Sequence, residues 1–306
     1  MMAYAKTATA AIVLCALISP LTSLAATNLE VSTFNTRWFG LSVQDPRSGN
    51  MKPVPPAVLE ERARIMKDFI EKNIQNKDVI SFQEVVDVAS LESLLPKGWH
   101  CSSYKMQNLY HQRVALCASG KYQLLNPPYD TDNSIEDVAT DEDWSRPALR
   151  MDLADLNGKR IVRIVGVHFK SAPTFSKERQ RQAKVIAEDL AKDSTVPAIL
   201  LGDLNTYSAK QTGEDKDDVE KIVSALQKKD KSFQGIPHNV RFTYRSYKYA
   251  SLFDHVLVNK GIKAKSAPNV YAVCNTWKEG QGYLDFKYYY KFVSDHCPVS
   301  VSLTVP

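Results

Sequence analysis

After residue 26 the chain carries no internal repeat, no heptad pattern and no low-complexity segment. Solenoids and coiled coils are thereby excluded, and a globular chain of alternating elements is left. Charge of one sign is scarce too: 39 Lys and Arg against 34 Asp and Glu leave +5 over 306 residues. Such a balance is compatible with a polyanionic partner and does not require one. The apolar run ATAAIVLCALI near the start is about ten residues long, roughly half of what a membrane-spanning helix needs. Cysteine is sparse, five in all, with Cys15 inside that run.

What is present begins with Lys6 in a short polar start, then the apolar run, then SPLTSLAA with small residues at its end. This is the pattern of a secretory signal peptide over residues 1–26, cleaved after Ala25 or Ala26, ahead of a single domain over 27–306. A lipid anchor on Cys15 is the weaker alternative, because Cys15 follows bulky Leu14 and is followed by more apolar residues. Export to a periplasm or the extracellular space puts Cys101, Cys117, Cys274 and Cys297 in an oxidising compartment. Four cysteines allow three pairings. Cys101–Cys117 and Cys274–Cys297 are expected, since each pair lies on short apolar segments, near in sequence, that fit neighbouring antiparallel strands; buried free thiols are the alternative.

At 44% hydrophobic and 24% charged, the composition is that of an ordinary soluble chain. LEVSTF reads as a strand, DPRSGNMKPVPP as loop, and AVLEERARIMKDFIEKNI as a helix with Val58, Leu59, Arg62/Ala63, Met66, Phe69/Ile70 and Ile74 at helical spacing. DVISF is a short buried strand, and DVASLESLL a short helix stopped by Pro96. RVALCAS, ALRMDLA, RIVRIVGVHF, VPAILLGDLN, FDHVLV and PVSVSLTV read as strands, and KERQRQAKVIAEDLAK as a second long helix. SAKQTGEDKDD reads as a charged surface loop, and no linker divides the chain. Strand, helix, strand occurs once in each half with antiparallel strands between, which predicts an α/β layered sandwich: two facing sheets with helices outside.

Polar residues stand at the strand ends: Asn35, Glu84, His168, Asp203 with Asn205, Asp254, and Asp295 with His296. Singly, each is as readily a cap or a solvated turn. Adjacent strands bring their ends to one rim, where ligands collect. Glu84, Asp203 and Asp295 with the carboxamides of Asn35 and Asn205 form a hard oxygen set, suited to Mg²⁺, Mn²⁺ or Ca²⁺ and poor for zinc. Phosphodiester hydrolysis uses such a set, with a base for water and a group for the leaving oxygen. His168 and His296 titrate near neutrality, and Asp254 is placed to orient His296.

FNTRWFG, SFQEVVD, WSRPAL, VHFKSAP, GDLN, FDHVLV and SDHCPVSVSLT, in this order over nearly all of residues 27–306, resemble the endonuclease/exonuclease/phosphatase superfamily, most closely its deoxyribonuclease I branch. The resemblance implies a four-layer α/β sandwich. It implies Glu84 as the principal metal ligand with Asn35 and Asp295 beside it, and Asp203 and Asn205 positioning water and phosphate. His296 with Asp254 would be the base, His168 the second histidine, and Arg37 and Arg146 the phosphate contacts. Val86 stands where that branch has a basic residue reaching the minor groove, and Gln112 where it has the acidic orienter of the second histidine. The loop HFKSAP adds Lys170. The changes at Val86 and Gln112 count against a duplex-DNA preference.

The expectation is an exported, Mg²⁺-dependent, monomeric endonuclease that cuts DNA to 5′-phosphate ends. The aromatic stretch NTWKEGQGYLDFKYYYKF admits three readings. It stacks unpaired bases, it enters a membrane interface as in secreted sphingomyelinases, or Tyr283, Phe286, Tyr288, Tyr290 and Phe292 alternate along a strand as core. A phosphoinositide phosphatase lacks support because the Trp-Cys-Asp-Arg signature is missing. A binding module with a dead site conflicts with the retained carboxylates.

Overall fold

The buried apolar runs become two seven-stranded sheets. In the computed structural model, which describes residues 26–39, 54–104, 112–130, 132–139, 145–246, 249–278, 281 and 283–306, sheet I holds β1 (Thr27–Phe39), β2 (Val79–Val85), β3 (His100–Ser103), β4 (Arg113–Ala118), β14 (Lys263–Ala264), β15 (Asn269–Val270) and β16 (Val299–Val305). Sheet II holds β5 (Gln123–Leu125), β6 (Ser134–Ile135), β7 (Ala148–Ala154), β8 (Arg160–His168), β9 (Ala198–Asp203), β10 (Gln234–Gly235) and β13 (Asp254–Val258). A hairpin, β11 (Tyr244–Arg245) with β12 (Ala250–Ser251), lies apart from both. The expected signal peptide falls outside the described residues except for Ala26.

Each sheet contains one parallel pair, β1–β2 and β8–β9, and its other described pairs are antiparallel. A parallel pair needs a crossover, supplied by helix α1 (Pro56–Asn73) in the first half and α3 (Ser176–Leu190) in the second. The inner faces of the sheets share one core, with Leu29, Val31, Leu116, Ile164, Leu201 and Val256. The outer face of sheet I packs under α1, α2 (Val88–Glu92) and α7 (Lys287–Phe292), and that of sheet II under α3 and α5 (Asp218–Leu226). The result is the four-layer sandwich, helix on sheet on sheet on helix.

Three expectations change. The aromatic stretch is not a strand: Tyr289, Tyr290 and Phe292 are buried on helix α7, and Tyr288 points to solvent. Helical spacing, not alternation, puts Phe286, Tyr289, Tyr290 and Val293 against the core; the Tyr283 side chain lies outside the described residues. The charged loop contains helix α4 (Ala209–Thr212) and opens α5, where buried Asp218 pairs with buried Arg179. Val58, counted on the buried stripe of α1, is exposed, and that stripe begins at Ile65.

Both expected disulfides form. Cys101 and Cys117 are register partners on β3 and β4. Cys274, however, lies on helix α6 (Val273–Thr276), so the second bridge ties a helix to the residue after His296.

Candidate active site

Side chains on a strand alternate between faces, and the inner-face series end at the same rim. Val258, Val256 and Asp254 form one such series; Ile199, Leu201 and Asp203 a second; Ile164, Gly166 and His168 a third. Register pairs His168 with Asp203 and Asp203 with Asp254, so three polar residues stand abreast on neighbouring strands. One row deeper Gly166 is obligatory, since a Cβ there would meet Ser81 Oγ and Val114 Cγ1 at 2.8 Å. Gly202, at φ 155°, has no room either: its Cβ would lie 2.0 Å from the Val167 carbonyl oxygen.

Glu84 breaks the alternation. Ile80 and Phe82 face the outer core, and regular pleating would send Glu84 there with them. Its φ of 57° and a register shift between Phe82 and Val85 turn it instead to the rim. Among the described residues, five of the seven non-glycine residues with positive φ (Arg37, Trp38, Glu84, Ala172 and Asn205) line the same cavity, so backbone strain is concentrated at this site. The Arg62 guanidinium braces the bulge in β1, donating to the carbonyls of Thr36 (2.8 Å) and Arg37 (2.7 Å). Burial and the Arg37 charge lower its pKa to about 10.

The cavity, about 350 Å³, takes Arg37, Glu84, Arg146, His168, Asp203, Asn205, Asp295 and His296 from the expected set. Asp203 is its centre. Its Oδ2 accepts from Asn35 Nδ2 at 3.0 Å and lies 3.5 Å from both His168 Nε2 and His296 Nε2. His296 Nδ1 is 2.8 Å from Asp254 Oδ2, an orienting contact of the expected kind. Burial raises the Asp203 carboxyl to about 7. Burial alone would lower the His296 pKa, but Asp254 and Asp203 lift it to about 10. His296 and Asp203 therefore titrate as a pair.

Asn35, expected to offer an oxygen, presents nitrogen: Nδ2 donates to Glu84 Oε1 at 3.3 Å as well as to Asp203, and Oδ1 accepts from the Arg37 backbone N–H. Asn205 donates its side-chain amide to the Phe169 carbonyl at 3.0 Å. Gln112, expected to orient His168, is buried with its Oε1 accepting two bonds from Arg146, so its visible role is to hold that arginine in the cavity wall. Lys170 sets its ammonium over the Phe175 ring, 4.7 Å from the centroid, instead of lining the cavity. Arg37 is half-exposed and 3.7 Å from Asp295 Oδ2.

An aromatic wall went unread in the sequence: Trp38, Tyr207, Tyr244, Tyr249 and Phe253 also line the cavity. Tyr244 stacks on Phe253 with ring centroids 4.7 Å apart, and stands 4.8 Å from the His296 ring. Trp38 and Phe253 lie inside the motifs FNTRWFG and FDHVLV, whereas Tyr244 and Tyr249 sit on a two-residue-strand hairpin too short to leave a pattern.

No group of three His, Cys, Asp or Glu side chains close enough to hold a metal ion occurs among the described residues. Glu84 and Asp295 nonetheless suit a hard cation. Burial, with the Asp295 charge next, pushes the Glu84 carboxyl upward, and its Oε1 accepts from Asn35 Nδ2. A divalent cation that keeps most of its water takes only one or two carboxylates, so the pair fits it.

A four-layer sandwich with acids, imidazoles and arginines gathered at one rim is the frame of a phosphoester hydrolase. Residues 32–296 match the model of the Endonuclease/Exonuclease/phosphatase family, and the chain belongs to that family. Among curated proteins no relative matches the sequence. Solved structures of similar fold include an endonuclease/exonuclease/phosphatase from Bacteroides vulgatus, at TM-score 0.62 and 15% identity over 92% of this chain and 100% of that one. The mannosyl-6-phosphatase of Bacteroides thetaiotaomicron superposes at TM-score 0.57 and 16% identity, covering 90% and 99%. TDP2 of D. rerio, complexed with single-strand DNA product, does so at 0.55 and 12%, covering 90% and 99%.

Proposed function

We propose that the protein is an exported, divalent-cation-dependent phosphodiesterase that hydrolyses nucleic acid, DNA foremost, to 5′-phosphate ends. The observation that carries this reading is the convergence of Asn35, His168 and His296 on Asp203 Oδ2, with Asp254 behind His296, in a cavity that also holds two further carboxylates and two arginines. A Mg²⁺ ion held by Glu84 and Asp295 would neutralise phosphate charge as the bond to the leaving oxygen breaks. Arg37 and Arg146 grip non-bridging oxygens. The attacking water gives its proton to the Asp203–His296 pair. Asp203, raised to about 7, is the basic member at neutral pH, and His296 stays cationic beside the phosphate. This moves the base from His296, where the sequence placed it, to the carboxylate in front of it. His168 faces the departing 3′ oxygen.

The aromatic wall supports a nucleotide over a lipid, since it flanks the chemistry itself and stacks bases without sequence preference. The segment that suggested a membrane hairpin places Tyr289, Tyr290 and Phe292 in the core on α7, and no helix among the described residues is long and apolar enough to cross a membrane. The test compares supercoiled plasmid, a labelled single strand and sphingomyelin vesicles, each with Mg²⁺ and with chelator, and with Glu84→Ala as blank. Cation-dependent cleavage of nucleic acid that the blank lacks is expected. Lipid hydrolysis without nucleic-acid cleavage would replace the reading by a phospholipase.

A further inference from the structure

A second concavity lies beside the catalytic one. Helices α3 and α5 run along the outer face of sheet II, and between them is a groove of about 730 Å³. Its walls are two helical stripes: Lys177, Arg181 and Lys184 at i, i+4 and i+7 on α3, and Lys221 and Lys228 at i and i+7 across α5 and its C-terminal turn. Lys216 also lines it, and Glu214 and Asp215 are the groove's acids. Glu214 is taken by Lys221, and Arg181 is paired with Glu178 on its own helix, so the lysines carry the groove's uncommitted charge. Lys177, Lys216 and Lys228 hold no ion pair among the described residues, and Lys184 has only an exposed one with Glu188, at 3.8 Å. A basic stripe on one helix is ordinarily a solvated face. Two stripes facing each other across a groove concentrate positive potential in it.

The groove is linked to the catalytic cavity by two short stretches of chain. Ser171, Ala172 and Pro173 line the cavity and Lys177 lines the groove. Tyr207 lines the cavity and Glu214 to Lys216 line the groove. Four residues of chain span at most about 14 Å, so Lys177 is within that distance of Pro173. Charges on one nucleic-acid strand recur about every 3.4 Å along a duplex axis, so a strand seated in the cavity carries further phosphates within this reach.

We propose that the α3–α5 groove is a phosphate-backbone site that takes the part of a nucleic-acid strand extending beyond the scissile bond. This rests on the nuclease reading and adds to it a reason to prefer long strands over short diesters. Its lysines bind phosphate as point charges, without reading bases.

The test uses the full protein with Lys177, Lys184 and Lys228 all changed to Gln, and a second variant with all three changed to Arg. For the Gln variant, KM on a long single strand should rise at least about fivefold at moderate salt, with kcat unchanged. The slope of log KM against log salt should fall by about 2, that is roughly 0.7 for each of three lost contacts. Hydrolysis of a small aromatic phosphodiester should stay as in the wild type, and the Arg variant should behave as wild type on both substrates. Unchanged KM on the long strand would overturn the proposal. So would equal losses on both substrates, since a groove serving distant phosphates leaves a small diester untouched. If the wild type cleaves no nucleic acid, the nuclease reading falls by itself, and fluorescence anisotropy of the labelled strand still reads the groove. Binding lost in the Gln variant and kept in the Arg variant then supports it, whereas binding equal in all three, or competed by polyglutamate as well as by oligonucleotide, overturns it.

Discussion

Asp203 owes its position to three neighbours and its basicity to burial. Its carboxylate is nearly inaccessible and receives one amide while facing two imidazoles, so its pKa sits near neutrality and not in the usual carboxylate range. Activity should therefore climb as pH rises through about 7, where Asp203 loses its proton, and decline as His296 becomes neutral near 10. A bound cation shifts both limbs downward by opposing protonation. The measurement is kcat/KM against pH for wild type and Asp203→Asn. Loss of the acidic limb in the variant, with a rate reduced by about a hundredfold or more, is expected; an acidic limb that survives there and vanishes in His296→Gln would restore His296 as the base. His255, one residue after Asp254, titrates in the opposite sense to His296. Burial, with the His238 charge next, lowers it to about 3, and its Nε2 bonds the Leu252 carbonyl at 2.9 Å and meets Thr206 Oγ1 at 2.7 Å. A lowered pKa means the folded state binds fewer protons than the unfolded one. Stability from this group is complete above 6.5 and is lost as pH falls toward 3, by about 5 kcal/mol at most. Urea titrations across that window should show a steeper acid loss in wild type than in His255→Gln; parallel curves would remove His255 from the account.

At the scale of elements, the loops around the cavity are held by one buried ion pair. Arg179 on α3 binds Asp218 at the head of α5, and its Nη1 donates to the carbonyls of Lys170 and Ala172, each at 2.8 Å. Asp218 Oδ2 also accepts from the Tyr207 backbone N–H at 3.1 Å. Two segments that line the cavity, through Ser171 and Ala172 in one and Tyr207 in the other, thus hang on a single pair. Removing one partner leaves a buried charge, which costs about 3–5 kcal/mol. Arg179→Met should lose stability of that size in urea and lower kcat, while the double change Arg179→Met with Asp218→Leu should recover much of the stability and none of the kcat; recovery of both would show that the pair does not position the site. This pair also marks the limit of what the sequence discloses. Buried strands announce themselves as apolar runs, so the strands that carry His168, Asp203 and Asp254 were legible, and with them the polar residue at each end. Asp218 was not, because it sits in GEDKDD among solvated charges and its partner is 39 residues away. The aromatic stretch failed for a different reason: spacings of two and of three to four coincide over ten residues, and only packing under sheet I selects the helix. Glu84 was legible as a polar residue at a strand end, yet its turn to the rim depends on a positive φ that no pattern of residue types encodes.

For the whole molecule, the cavity stands at the open end of the inter-sheet core, with sheet I supplying Asn35 and Glu84, sheet II supplying His168, Asp203 and Asp254, and Asp295 and His296 entering on the connection into β16. Closing the sandwich therefore brings carboxylates of both sheets together, and global stability carries the cost of that crowding. Glu84 shows the sign. Its pKa is raised by burial and by Asp295, so the folded state holds its proton more tightly than the unfolded one. In cation-free protein the corresponding stability is present at acidic pH and is lost as pH rises through the folded pKa. Glu84→Gln removes the charge while keeping the shape and the bond to Asn35. It should raise the Tm of cation-free protein at neutral pH, by about 2–4 °C for each kcal/mol relieved in a chain of this size. Mg²⁺ should do the same for the wild type in a concentration-dependent way, reaching about 2.7 kcal/mol at a hundredfold excess over Kd. The two effects exclude each other, since the variant lacks the carboxylate that the cation uses. Thermal scans of both proteins with chelator and with graded Mg²⁺ check this: a wild type that does not respond to Mg²⁺, or a variant that responds as strongly as the wild type, would remove Glu84 as the ligand. A more stable, cation-blind and inactive variant would show that the sandwich tolerates strain at its rim because the rim is where the chemistry is done.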